Sequence, residues 1–193
     1  LLRKITHAHL YVAELEARGV GTYLVGGRGY FSKDEIADLT ALLTLLVDPH
    51  SDLHLVTVLR SPMVALTDDG LAHLGYARHR GRWPSLWGAL EALQSGACDH
   101  PNPLSSADQE RVGRLVEAVA NLGRRVGAPG LSSLVDEATQ ALDHDVLSLA
   151  SAGGSRRYAN VRKLMRLAES FEAVEGPDLA AFLRYISRRG RLD

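Results

Sequence analysis

The segment GGRGYFSKDEIAD, residues 26–38, most constrains what this chain can fold into. Its glycines permit backbone conformations that residues with a Cβ resist, so they predict a sharp turn; they are Gly26, Gly27 and Gly29. Tyr30 and Phe31 follow at once and supply apolar mass for a packed bend. Ser32 stands three residues before Glu35, which is the spacing of a capping box. The segment therefore predicts the end of a strand, a turn and the start of a helix.

Beyond residue 32 the apolar residues recur at helical spacing, and the predicted fold class is mainly α. A short strand–helix–strand piece precedes the helices, at Leu2–Ile5, His9–Arg18 and Thr22–Val25. A loop rich in glycine, arginine and tryptophan is predicted at Tyr76–Pro84. The expected helices cover about 35–47, 51–60, 68–77, 85–95, 107–126 (capped by Ser105 or Ser106) and 155–173, with a last one starting near Pro177.

Charge and composition limit the classes of function. The 193 residues carry 22 Lys and Arg against 23 Asp and Glu, so any nucleic-acid binding must come from local patches. A lone cysteine, Cys98, excludes an internal disulfide and is typical of a reducing compartment, so a cytoplasmic location is expected. We see no signal peptide in LLRKITHAH and no apolar run of about 18 residues, and therefore expect no membrane partner.

Three segments, in order, resemble the UvrD/Rep-type DNA helicases of superfamily 1A, in particular the AddA/RecB-like branch. The first is GGRGYFSKDEIAD, which is similar to the family's GG-x-x-FF-x-(R/K)-x-E-(I/V)-x-D. The second, DPHSDLHLVTVLRSPMVALTDDGLAHL, resembles its N-P-x-D-D run. The third, RRYANVRKLMRLAESFE with DLAAFLRYI, resembles R-R-x-A-N-(V/L)-R-(K/R)-L and the helix that follows. The resemblance implies that residues 1–31 are the edge of motor domain 2A and that 32–193 form the helical 2B insertion.

The resemblance further implies a parent ATP-dependent 3′–5′ DNA helicase that uses ATP and Mg²⁺. This chain lacks the phosphate-binding G-x-x-x-x-G-K-(S/T) loop, the acidic strand end and any Asp-x-Lys or Glu-x-Lys nuclease pair. We therefore expect no catalytic residue and no cofactor in this chain. The expected partners are duplex DNA at a single-strand junction, the motor domains of the same chain and a nuclease-type partner subunit. The expected hinge of the insertion is formed by Gly26, Gly27, Gly29, Tyr30 and Phe31.

The first candidate DNA-binding patch lies on the helix predicted at 155–173. Its apolar face is opposed by an arc of four cations, namely Arg156, Arg162, Lys163 and Arg166. Such an arc can follow a phosphate backbone. The alternative is an ordinary solvated surface balanced by Glu169 and Glu172.

The second candidate patch is the predicted arginine loop, with Trp83 and Trp87 nearby. Its cations are Arg78, Arg80 and Arg82, together with His79. Arginine beside tryptophan can bind phosphate and stack a base. Equally, the tryptophans can anchor the loop to the core while the arginines stay hydrated.

The third candidate is Thr67, in SPMVALTDD. The same place in related helicases carries a Gly-Ile-Gly hairpin whose amides grip duplex phosphate, and here its glycine positions are Ala65 and Thr67. The residues themselves favour Thr67 as the N-cap of the following helix, with Asp68 and Asp69 opposing an anion.

The histidines do not predict a metal site, because no third ligand is placed by spacing. The candidate groups are His7/His9, His50/His54, Cys98/His100 and Asp143-His144-Asp145, and the last is expected to cap a helix end. Two functions stay open. One is an accessory domain that contacts duplex phosphate and tunes unwinding in DNA repair or recombination. The other is a helical protein-interaction or autoinhibitory module with little DNA contact; an unrelated helical protein is a third, weaker alternative.

Overall fold

A computed structural model describes residues 8–20, 29–97 and 104–191 of the chain. The described residues form helices joined by turns, so the predicted mainly α class is confirmed. The predicted strands at Leu2–Ile5 and Thr22–Val25 lie outside the described residues. The helices are α1 Ala8–Ala17, α2 Asp34–Leu45, α3 Asp52–Arg60, α4 Asp68–Gly81, α5 Leu86–Gln94, α6 Ser106–Gly123, α7 Leu131–Ala141, α8 His144–Ala150, α9 Gly154–Glu175 and α10 Leu179–Gly190.

Helix α2 forms the centre of the bundle, and its sequence explains why. The helix is apolar around most of its circumference, a pattern typical of a helix buried on all sides. Ile36, Leu39, Leu42, Leu43 and Leu45 are fully buried. α2 packs against α3, α7, α8, α9 and α10, and α9 also packs against α7 and α8. The two segments that carry the first and third family motifs are thus neighbours in the core.

The start of α2 differs from the predicted capping box. The Ser32 hydroxyl donates backwards to the Gly29 carbonyl at 3.0 Å, and Lys33 occupies the N-cap position without a side-chain cap. Glu35 does not reach back to the N-cap; its side chain is turned into the protein, with only 5% of the residue exposed. The capping-box prediction is therefore wrong, because Glu35 is used in the core instead.

Helix α4 is longer than predicted and includes most of the expected arginine loop. It runs to Gly81, so Arg78 and Arg80 lie in its last turn and Gly75 lies inside the helix. The chain leaves the helix at Arg82, which adopts a left-handed conformation with φ 54°. The prediction of a loop over Tyr76–Pro84 is wrong for its first half, since the helix continues through Gly75 and ends only at Gly81.

Two further helix starts differ from expectation. His144 begins the short helix α8, which the sequence analysis did not predict, and it is buried rather than capping a helix end. Asp178 caps α10 by accepting a bond from the Ala181 amide at 2.9 Å, so Pro177 lies before the helix and not in its first turn. The prediction for α6 is confirmed, because the Ser105 hydroxyl accepts from the Asp108 amide at 3.1 Å. Among the helices that the structure describes, none has the length and apolar character needed to cross a membrane.

Candidate nucleic-acid interface

The first and last parts of the helical region meet at one point, which we call the neck (residues 29–31 and 190). The Tyr30 hydroxyl donates to the Asn160 carbonyl of α9 at 2.8 Å, and the Lys163 ammonium lies 4.2 Å from the centre of the Tyr30 ring. Phe31 stacks edge-on against Tyr30, with ring centres 4.8 Å apart. Phe31 also packs on Gly190 at the end of α10, where an added Cβ would lie 3.3 Å from the Phe31 Cβ. Tyr30 and Phe31 are therefore anchored to both α9 and α10.

Behind the neck lies a buried ionic cluster built from the first and third motifs. The Glu35 carboxylate accepts a hydrogen bond from the Asn160 amide at 2.8 Å and pairs with Arg157 at 3.3 Å. A second nitrogen of Arg157 lies 3.7 Å from the exposed Asp34 carboxylate. The family-like Glu of one segment thus contacts the family-like Arg and Asn of the other. These three residues hold α2 against α9 and are not available to a ligand.

Two titratable groups at this cluster have shifted pKa values. Burial, together with the nearby Asp34 and Glu35 charges, raises the pKa of Asp38 to about 6, although Arg157 acts in the opposite direction. Burial lowers the pKa of His144, which favours the neutral ring, and its Nε2–H donates to the Glu35 carbonyl at 2.9 Å. The His144 Nδ1 is buried and has no hydrogen-bond partner among the residues that the structure describes. His144 therefore serves to join α8 to α2.

The four cations predicted to form an arc on α9 do not all face solvent. Arg156, Arg162 and Arg166 are exposed, but Lys163 is half-buried against Tyr30. A guanidinium nitrogen of Arg162 lies 3.6 Å from the Met165 sulfur, and Arg166 has no ion pair with any residue that the structure describes. The arc is thus a surface of three arginines, and its lysine has a structural role at the neck.

Glu172 does not balance these cations as the alternative interpretation supposed. Its two carboxylate oxygens accept from the amides of Gly130 and Leu131 at 2.8 and 2.6 Å. Those amides begin α7, and they have no partner inside the helix. Glu172 therefore caps α7 from α9, while Glu169 stays exposed on the outer face.

The arginines predicted as a patch at the end of α4 likewise differ in whether they have partners within the protein. Arg78 pairs with Asp52 at 2.7 Å and donates to the Pro84 carbonyl at 3.1 Å, so it fixes the turn after α4. Arg80 and Arg82 are exposed, and neither has an ion pair within the described ranges. They line an open groove of 660 Å³ together with His79 and Trp83. Two arginines of the predicted three thus remain available to an anion.

The tryptophans beside this patch are anchors. Trp87 is buried and its indole N–H donates to Glu91 at 2.9 Å. Trp83 is partly buried, and its indole nitrogen is enclosed beneath Gly81, where an added Cβ would lie 2.2 Å away. Of the two interpretations that the sequence left open, the geometry favours the anchoring one.

Thr67 is the N-cap of α4, as its residue type predicted. Its hydroxyl accepts from the Gly70 amide at 3.0 Å and donates to the Asp108 carboxylate at 2.6 Å. The neighbouring amides of Ala65 and Leu66 donate to the Ser61 and Leu59 carbonyls, and Ala65 has φ 51°. These groups all have protein partners, so the geometry favours a structural role for this turn over a phosphate grip.

The cations of α10 are not among the candidates predicted from the sequence. Arg184, Arg188 and Arg191 are exposed along one side of this helix. The signal that could have predicted them is the helical spacing of the arginines in RYISRRGRLD.

The histidines form local hydrogen bonds, His50 with Ser85 and His54 with Ser51. Within the described residues, no three or more candidate ligands come together for a metal ion.

Comparisons with known proteins agree with the motifs. No protein-family model matches the chain. Its relatives include ATP-dependent helicase/nuclease subunits of the AddA type from three bacteria. Identity is 28% over 188 residues with that of Oceanobacillus iheyensis, 30% over 185 with that of Heliobacterium modesticaldum and 30% over 189 with that of Bacillus pumilus.

These alignments cover 97%, 94% and 97% of this chain but only 14%, 13% and 15% of the respective relatives. The chain therefore matches one segment of much longer proteins. The resemblance to the AddA/RecB-like branch is confirmed to that extent. Over nearly its whole length, the chain is homologous to a segment of the AddA-type subunits of ATP-dependent helicase/nucleases.

Proposed function

We propose that this chain is the accessory 2B-type insertion of an ATP-dependent 3′–5′ DNA helicase, with residues 1–31 at the edge of motor domain 2A and 32–193 forming the insertion. The observation that carries this proposal is the neck. An inserted domain must leave and re-enter its host at neighbouring points, and domains whose ends lie close together are the ones that tolerate insertion. Phe31 and Gly190 are in contact, so the helical region 30–190 meets this requirement.

The neck also refines the proposed hinge. Tyr30 is only 8% exposed and is held by α9, so it moves together with the helices. Gly29 has φ +81°, a conformation that glycine adopts at little cost, and it directly precedes the anchored pair. The rotation between motor and insertion is therefore proposed for Gly26, Gly27 and Gly29, with Tyr30 and Phe31 as the rigid end of the joint.

The proposed role is to contact duplex DNA ahead of the single-strand junction and to regulate its unwinding during repair or recombination. Exposed arginines with no ion pair among the described residues, such as Arg80 and Arg166, support contacts to phosphate, which carry no sequence information. ATP and Mg²⁺ would act in the motor domains of the parent protein.

Helix α1 supports a protein partner as well. Leu10 and Tyr11 are 59% and 58% exposed and Leu15 is 40% exposed, so apolar side chains of this helix are uncovered in the chain alone. Exposed apolar clusters mark contact sites. The proposed occupant is the remainder of motor domain 2A. A second candidate function, docking of a nuclease-type partner subunit, draws on the same observation.

The test is a titration of the chain onto a labelled duplex with a 3′ single-stranded tail, read by fluorescence anisotropy. Affinity that falls steeply between about 50 and 200 mM salt is expected, because phosphate contacts release counterions. A chain that fails to bind even at the lowest salt would contradict the DNA contact. Salt-resistant capture of a purified nuclease subunit would then favour the second candidate.

A further inference from the structure

Helix α10 carries a stripe of three arginines on its outward side. Arg184, Arg188 and Arg191 follow one another at spacings of four and three residues. At 3.6 residues per turn they fall within an arc of about 60° and along about 10 Å of helix. All three side chains are exposed, and none of these side chains forms a hydrogen bond or ion pair with another residue in the described part of the chain.

The stability of the helix does not account for this stripe. Cations in the last turn of a helix interact favourably with its dipole, and this accounts for Arg188 and Arg189. Arg184 lies more than a turn earlier. Arg189 has its own packing role, since its guanidinium lies 4.8 Å from the centre of the Tyr185 ring. α10 contains no Asp or Glu from Leu179 to Gly190, so the positive charge of its outer side is not compensated within the helix.

The other cationic surfaces are weaker by the same criteria. At the end of α4 one of three arginines, Arg78, is paired with Asp52. On the outer side of α9 the exposed Glu169 follows Arg166 by three residues, which places the two charges side by side. The α10 stripe combines the most unpaired cations with the absence of a neighbouring acid on its own helix.

We infer that the α10 stripe binds the sugar–phosphate backbone of duplex DNA without reading bases. The Cβ atoms of helical neighbours of this kind lie about 5–6 Å apart. This is close to the roughly 7 Å of duplex axis that two phosphate steps of one strand occupy. Guanidinium groups also suit phosphate because they donate in a planar fork. The inference rests on the proposed function and specifies which surface of the domain faces the DNA.

The experiment compares two triple variants of the 193-residue chain that lose the same total charge. The test variant is Arg184→Gln/Arg188→Gln/Arg191→Gln. The matched control is Arg114→Gln/Arg124→Gln/Arg125→Gln, which removes three exposed arginines that lie outside the candidate DNA-binding patches. Both are titrated onto the labelled tailed duplex between about 50 and 200 mM salt, and circular dichroism melting checks that both remain folded. Three lost phosphate contacts lower the log–log salt slope by about 2.7. The wild type should then lose about 40-fold more affinity than the test variant across this range, while the control stays close to wild type.

The other outcomes show whether the inference fails alone or together with the proposed DNA contact. If the wild type binds and the test variant binds equally well, the stripe is not the interface, and DNA contact by the domain still stands. If the control loses as much as the test variant, binding is a diffuse charge effect and the inference fails. Absence of wild-type binding at the lowest salt would remove the DNA contact and the stripe together. Equal binding of polyglutamate and the duplex would assign the stripe to an acidic protein partner instead.

Discussion

Replacing Arg157 by glutamine removes the charged partner of the buried Glu35 carboxylate while leaving the Asn160 hydrogen bond in place. Glu35 is 5% exposed and the Arg157 side chain is 33% exposed, with 3.3 Å between the paired atoms. Loss of one member of a fully buried pair costs about 3–5 kcal/mol, because the remaining charge stays buried without compensation. Solvent reaches Arg157 and Asn160 still donates to Glu35, so we expect a smaller loss of about 2 kcal/mol in the free energy of unfolding.

The measurement is urea denaturation of the chain followed by circular dichroism at neutral pH. Arg166→Gln is the matched control, since it removes an exposed arginine of the same helix and should change stability by about 0.5 kcal/mol or less. The double variant Glu35→Gln/Arg157→Gln should be less destabilised than the sum of its single variants, because a neutral pair leaves no buried charge.

Two results would refute this reasoning. Arg157→Gln that unfolds at the same urea concentration as Arg166→Gln would mean that solvent already screens the pair. Strict additivity in the double variant would mean that Glu35 and Arg157 do not interact energetically. In either case, the contact between the first and third motifs would not stabilise the packing of α2 on α9.

The remaining predictions concern Asp38 and Gly81. Burial raises the pKa of Asp38 from its ordinary value of 3.8 to about 6, so its contribution to stability is full below about pH 4 and is lost as the pH rises through 6. The stability of Asp38→Asn relative to the wild type should therefore increase between pH 4 and 6, and the difference should persist at higher pH. Melting temperatures measured across this pH range test the prediction, with the exposed Glu169→Gln as the control. Gly81→Ala should destabilise by about 1–2 kcal/mol, because its Cβ would meet the Trp83 indole at 2.2 Å. Gly75→Ala, on the same helix, should instead stabilise by about 0.5–1 kcal/mol, because its added Cβ would meet no neighbouring atom. Both variants are measured by urea denaturation. Equal stabilisation of the two would contradict the close packing of the Trp83 indole on Gly81.

Local patterns were sufficient for most helices, because their apolar spacing has to match the core that they bury. The spacing predicted α3, α5, α6 and α9 to within a few residues, and Ser105 and Thr67 were recognised as caps from residue type and position. Predictions from local sequence were wrong where a residue distant in the sequence bonds to the same side chain. Glu35 has the spacing of a capping box, but Arg157 and Asn160, more than a hundred residues away in sequence, hold it in the core.

The candidate interface shows the same division. The sequence identified cations on α4 and α9, and their residue types made phosphate contact a reasonable expectation. It did not reveal that Asp52 holds Arg78 or that Tyr30 holds Lys163, since both depend on contacts between separate helices. Which arginines remain unpaired is a property of the assembled bundle.

By itself, the sequence determined the mainly α class and the relationship to helicase/nuclease subunits, because helical spacing and motif wording are local and ordered along the chain. Only the tertiary structure brought Phe31 into contact with Gly190, enclosed Glu35 beside Arg157 and left the side chains of Arg184, Arg188 and Arg191 exposed without an ion pair among the described residues. The physical reason is that burial and pairing depend on distances through space. Residues 125 positions apart, such as Glu35 and Asn160, become neighbours only when α2 packs on α9.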